Sequence, residues 1–148
     1  MKRKDSSESG QTLLELVVAI GVVAIVITAL VAAVTASLRY SRATQLRSRG
    51  VKYAQEGLEL ARKLRDISTW DVFQGYAVGG GDWCLDESGT WTVDASSGAC
   101  PLSASNNFWR TIHFAWNDPT MDVTVRVSWG ERNVPSTVEL KTYFTHWK

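Results

Sequence analysis

Few residues in this 148-residue chain have the type and spacing to do chemistry. Glu15 stands at the mouth of an apolar run, with Leu13 and Leu14 before it and Leu16, Val17 and Val18 after it. An ionised group costs about 2.5 kcal/mol or more at a bilayer centre and less near the interface, so such a carboxylate is usually met by a partner. Glu15 either reaches into the headgroup region as a lone interfacial carboxylate or is neutralised by a cation from elsewhere. Cys84 and Cys100 are the two thiols. In an oxidising compartment they close a loop of about 16 residues, worth roughly 3 kcal/mol in the chain-entropy model, and in a reducing one they stay free. Neither sits in a Cys-x-x-Cys pair, and His113 and His146 have no metal-ligand spacing. Ser88 before Gly89 lacks the rest of a nucleophile elbow, and the triplet Gly79, Gly80, Gly81 is not followed by the lysine of a phosphate loop. The expectation is therefore no enzyme, with no catalytic, cofactor-binding or metal-binding residue.

The element that must position Glu15 is the run from Leu16 to Leu38, which contains no charged residue. Its roughly 23 residues make a helix about 35 Å long, enough to cross a hydrocarbon core of about 30 Å. A secretory signal has a shorter apolar region, about 7 to 15 residues, and then a cleavage site of small residues. The Ala32, Ala33, Ala36, Ser37 exit leaves that alternative open. Before the run lies a short leader with Lys2, Arg3 and Lys4 offset by Asp5 and Glu8. After it come Arg39, Arg42, Arg47, Arg49, Lys52, Arg62, Lys63 and Arg65 against Glu56 and Glu59. A plain Lys and Arg count puts the C-terminal side in the cytoplasm. The bases at the extreme N-terminus and a cysteine-bearing, tryptophan-rich C-terminal part favour the opposite, an N-terminus inside and an exported head.

The residues Ser9, Gly10, Gln11, Thr12, Leu13, Leu14, Glu15, Leu16 carry a resemblance. A short charged leader ending in Gly, then Thr-Leu-Leu-Glu-Leu opening a long apolar helix, resembles the type IV pilin-like family of prepilins, minor pilins and pseudopilins. The likeness covers residues 1 to about 66. It implies cleavage by a prepilin peptidase between Gly10 and Gln11 and methylation of the new amine. It also implies an assembly site of Thr12, Leu13, Leu14, Glu15 and Leu16, in which Glu15 neutralises the amine of a neighbouring subunit. The implied partners are other pilin subunits in a homo- or hetero-filament, the peptidase, the inner-membrane assembly machinery and, before assembly, membrane lipid. The implied location is a single-pass membrane protein with a cytoplasmic N-terminus and an exported head, extracellular once in a filament. Two features depart from the family: Gln11 stands where Phe is usual, and the membrane segment has no Pro, only Gly21, Thr28 and Thr35 as milder weak points.

The remaining chain reads as an α+β head. Leu46, Gly50, Tyr53, Gly57, Leu60, Leu64 and Ile67 recur at spacings of four and three, a helical stripe that Ala54, Leu58 and Ala61 widen. One continuous helix from about Thr12 to Asp66 follows, its lower half able to pack on a sheet. Its bases could touch the phosphates of DNA; the favoured reading is a solvated or subunit-facing surface that complements the acidic head of the next copy. From Ile67 onward there are nine acids against five bases, a balance of −4. Alternation predicts strands at Phe108 to Trp116, Met121 to Trp129 and Val138 to His146, turned at Asn117, Asp118, Pro119 and at Gly130, Glu131, Arg132, Asn133. Phe108, Arg110, Ile112, Phe114 and Trp116 share one face with Met121, Val123, Val125, Val127 and Trp129, and with Val138, Leu140, Thr142 and Phe144.

The organisation expected is thus a leader (1–10), a transmembrane and assembly helix (11–38), a basic amphipathic half (39–66), a variable loop region (67–107) and an antiparallel β-meander (108–148). A short strand at Thr90 to Val93 lies in the loop region, and in an exported head Cys84 pairs with Cys100 there. Many pilins instead staple a C-terminal loop. Of the seven tryptophans, most are expected in the core or an interface, and Trp70, Trp83 and Trp91 are the candidates for external contact. The function expected is a filament subunit, with the small Trp-rich head favouring a minor or tip-proximal pilin. The alternatives are a secretion pseudopilin or a monomeric membrane-anchored binding module.

Overall fold

The computed structural model describes residues 8–78, 82–93, 100–103, 107–131 and 134–146, and their side chains except at 8–12, 93, 131 and 134. Leader residues 1–7 and the glycine triplet 79–81 lie outside that set. The chain forms two compact units, Met1–Ala43 and Thr44–Lys148.

Helix α1 runs over Glu8–Ile67, 60 residues without a proline to interrupt it. Within the first unit its side chains from Leu13 to Arg42 are all exposed, and the helix is long and apolar enough to cross a membrane. Its hydroxyls are already satisfied. Thr28 Oγ1 donates to the Ala24 and Ile25 carbonyls, and Thr35 Oγ1 to those of Val31 and Ala32, at 2.9 to 3.1 Å. Such back-bonding spares a hydroxyl the cost of standing unpaired in hydrocarbon.

In the second unit, the helical stripe meets a five-stranded antiparallel sheet of order β2-β1-β3-β4-β5. The strands are β1 (Asp82–Leu85), β2 (Trp91–Val93), β3 (Phe108–Asn117), β4 (Thr120–Glu131) and β5 (Val134–Thr145). The α+β class and the three-strand meander are as the alternation predicts. The inward face is also as predicted: Phe108, Ile112, Phe114, Met121, Val123, Val125, Val127 and Trp129 are buried with Ala54, Ala61 and Leu64 of the helix. Gly50 and Gly57 let the helix approach closely. A Cβ on Gly50 would lie 2.6 Å from Trp129 Cζ3, and one on Gly57 would lie 2.9 Å from Val125 Cγ1.

Three details differ from the sequence expectation. Of the turn placed at Gly130 to Asn133, Gly130 pairs with Pro135 and Glu131 with Val134, so β5 starts at Val134 instead of Val138, while Arg132 and Asn133 lie outside the described residues. Pro135 is tolerated there because β5 is an edge strand. The region read as loop from 67 to 107 holds, besides the expected short strand (β2), a helix α2 (Trp70–Gly75) and strand β1. Finally Ile67, the last member of the stripe, is exposed. The chain breaks at Thr69, which is extended at the start of α2, and Phe73 of α2 is the residue that enters the core. Its ring lies 5.8 Å from Phe114 and 5.5 Å from Phe144, edge-on to both.

Candidate functional site

Glu15 sits near the start of α1. Leu13, Leu14 and Leu16 around it are each more than half exposed, and Gly10, Gln11 and Thr12 continue the helix backbone toward its N-terminus. No ion pair forms at Glu15 among the described residues. The reason is in the sequence: the nearest bases are Lys4 before it and Arg39 after it. At about 1.5 Å per residue, Arg39 stands roughly 36 Å along the helix, far beyond side-chain reach. A cation that neutralises this carboxylate within an apolar medium must therefore come from outside the helix.

Among the described residues the head contains one buried charge. Arg110 lies on the apolar face of β3, fully buried. Its Nε donates to the Leu85 carbonyl at 3.1 Å, Nη1 to the Tyr53 carbonyl at 3.0 Å and Nη2 to the Asp86 carbonyl at 2.7 Å. Glu56 Oε2 is 3.7 Å from Nη1. Burial pushes the guanidinium pKa down, while the charges of Glu56, Asp86 and Glu87 act to raise it. The planar fork thus joins α1, the end of β1 and β3 at one point. Sequence reasoning placed Arg110 on the inward face without giving it a role. The available signal was a base in phase with Phe108, Ile112 and Phe114.

Asp86 organises the β1–β2 turn. Its Oδ1 accepts from Ser88 Oγ at 2.7 Å and from the Thr90 N–H at 2.8 Å, and Gly89 takes the positive φ of 81° that the turn needs. The Ser88 and Thr90 hydrogen bonds hold the Asp86 carboxyl below its usual value. Ser88–Gly89 is thus a turn. Cys84 and Cys100 form a disulfide with their Cα atoms 5.1 Å apart, as expected for an exported head.

The three tryptophans picked out for external contact are engaged within the head. Trp70 packs on Phe73, Trp116 and His146. Trp83 donates from Nε1 to the Tyr76 carbonyl at 2.8 Å, and Trp91 packs on Tyr76 and Phe114. A small head needs these rings to close its core around α2, and sequence periodicity does not reveal that demand. His113 Nδ1 meets Asp82 Oδ1 at 2.7 Å on the outer face of the sheet. Among the described residues no group of three or more His, Cys, Asp or Glu could hold a metal ion.

Residues 5–34 match the model of the prokaryotic N-terminal methylation motif, the hallmark of type IV pilin-like prepilins. The match spans the leader's end, Gly10, Gln11 and Glu15, and most of the apolar run. No curated protein and no solved structure matches the chain.

Proposed function

We propose that this chain, which carries the N-terminal methylation motif of type IV pilin-like precursors, is a structural subunit of a type IV pilus-like filament, and within that class a minor pilin. Prepilin peptidase cuts between Gly10 and Gln11, the new amine is methylated, and the subunit waits in the membrane on its apolar helix with the disulfide-bonded head exported. Assembly joins such helices laterally. Glu15 of one copy then meets the Gln11 amine of a neighbour, where each charge alone costs several kcal/mol in an apolar medium and the pair recovers much of that. The benefit is chiefly registry, since the pairing selects one axial offset between helices that are otherwise smooth and apolar.

The observation that carries this reading is the methylation motif at residues 5–34. It is supported by a carboxylate with no cation of its own helix within reach and by an exposed apolar helix that continues into the head's core. The test is the intact mass and N-terminal peptide of the full chain co-expressed with a prepilin peptidase. A chain that begins at Gln11 and carries one extra methyl group is expected. A chain that still begins at Met1 beside an active peptidase overturns the reading and leaves a single-pass anchored head.

A further inference from the structure

Two adjoining hollows indent the face of the sheet turned away from α1. One, of about 300 Å³, is walled by the pairs Asp82 with His113 and Arg126 with Glu139. The other, of about 340 Å³, holds Asp122 and Tyr143, and Thr124 and Lys141 line both. The register brings these residues together. Asp82, His113, Thr124 and Lys141 are successive cross-strand partners over β1, β3, β4 and β5. Arg126 opposite Glu139 forms the next row on one side, and Asp122 opposite Tyr143 the next on the other, all on one face because side chains alternate with a period of two. At about 4.8 Å between strands and 3.3 Å per residue, Tyr143 and His113 stand roughly 12 Å apart.

The polar groups of this groove are held in place and keep capacity to spare. His113 Nδ1 meets Asp82 Oδ1 at 2.7 Å; an ionised carboxylate only accepts, so Nδ1 carries the proton and Nε2 of the neutral ring is an acceptor. Arg126 Nε donates to Glu139 Oε1 at 2.6 Å, and Asn117 Nδ2 donates to Asp122 Oδ2 at 2.8 Å. Each contact leaves the second carboxylate oxygen, and in Arg126 both Nη groups, for another partner. Three bases, His113, Arg126 and Lys141, stand against three carboxylates, Asp82, Asp122 and Glu139, so the groove favours an ion of neither sign. Tyr143 at its end is 71% exposed. A solvated sheet face carries polar side chains of any kind; this one fixes them in pairs around a hollow and sets an aromatic ring beside them.

We propose that the outer groove of the sheet binds a neutral oligosaccharide. The Tyr143 ring stacks on the C–H face of one sugar, whose weakly positive hydrogens meet the negative face of the ring. Vicinal hydroxyls of the next sugar, each both donor and acceptor, meet the donors of Arg126 and Lys141 and the acceptors of Asp82 and Glu139. The span from Tyr143 to His113 accommodates two linked sugar rings. The site needs only a folded head, so it goes beyond the filament reading and does not depend on it.

The test is saturation-transfer NMR on the disulfide-bonded full chain in a detergent without a sugar headgroup, with lactose, cellobiose, maltose and diacetylchitobiose as neutral probes and sialyllactose as the charged comparator. Transfer to at least one neutral disaccharide is expected. Tyr143→Ala is expected to weaken it about tenfold, while Tyr143→Phe, which keeps the ring, stays within about twofold of the parent. Thr124→Val, where the two hollows meet, keeps the volume, removes a hydroxyl and is expected to weaken binding about threefold or more. An unfolding midpoint unchanged in these variants assigns the loss to the groove; if one variant unfolds, the other decides. Transfer to no neutral disaccharide, transfer to sialyllactose alone, or neutral binding indifferent to both Tyr143→Ala and Thr124→Val overturns the proposal. Each of those results leaves cleavage between Gly10 and Gln11, and with it the filament reading, where its own test puts it.

Discussion

Arg110 is the residue on which the head's connections converge. Its three donors reach the carbonyls of Tyr53 and of the adjacent Leu85 and Asp86, positions far from it in sequence. Arg110→Met keeps much of the volume but removes three hydrogen bonds at once, each worth about 1.5–3 kcal/mol when the donor is charged. The variant is expected to lose about 3 kcal/mol or more, measured by urea unfolding of the detergent-solubilised full chain through tryptophan fluorescence. Arg110→Lys is expected to recover only part of this, because a point charge cannot span the fork. Asp86 gives a pH test at the same scale. Its folded pKa is below its ordinary value of 3.8 because of the Ser88 and Thr90 hydrogen bonds. The stability it contributes is therefore present above the unfolded pKa and lost as pH falls through the folded one. Asp86→Asn is expected to flatten the acid limb of the unfolding midpoint between about pH 5 and pH 3, leaving the profile above that range parallel to the parent.

At the scale of elements, the helix-to-sheet contact depends on what is missing from the helix. A methyl group on Gly57 would press Val125 Cγ1 at 2.9 Å and Arg110 Cδ at 3.2 Å. Alanine gains about 1 kcal/mol of helix propensity over glycine, and overpacking a filled core costs about 1–3 kcal/mol. Gly57→Ala is therefore expected to destabilise by up to about 2 kcal/mol in the same unfolding experiment, against the sign that propensity alone gives. The helix was legible as an element because its stripe repeats at four and three. The glycines in that stripe were legible only as small residues; that they face Trp129 and Val125 follows from where the sheet lies. The elements α2 and β1 were not legible, because six and four residues are too few to show a period.

For the whole molecule, the proposed filament function makes insertion and assembly depend on different residues. Glu15→Val removes the carboxylate and leaves the apolar run from Leu16 to Leu38 intact. The variant is expected to fractionate with membranes and to be cut between Gly10 and Gln11 like the parent, yet to yield no sheared surface filaments. Filaments at parent levels from this variant would remove the carboxylate from the assembly step. The head's charge has the same large-scale logic. Nine acids and five bases from Ile67 onward say that the head is acidic.

The sequence by itself determined a run long and apolar enough to cross a membrane, the isolated Glu15, the methylation motif at residues 5–34, and the two faces of each meander strand. These are local properties. Hydropathy, a period of 3.6 or 2 and a short motif are complete within a few consecutive residues. Only the tertiary structure decided that Arg110 serves three distant carbonyls, that Trp70, Trp83 and Trp91 close around α2, and that Ile67 leaves the stripe for the surface. Each of these depends on which residues meet across the long connections from α1 to the sheet, and the energy of a buried hydrogen bond or ring contact exists only once both partners are in place.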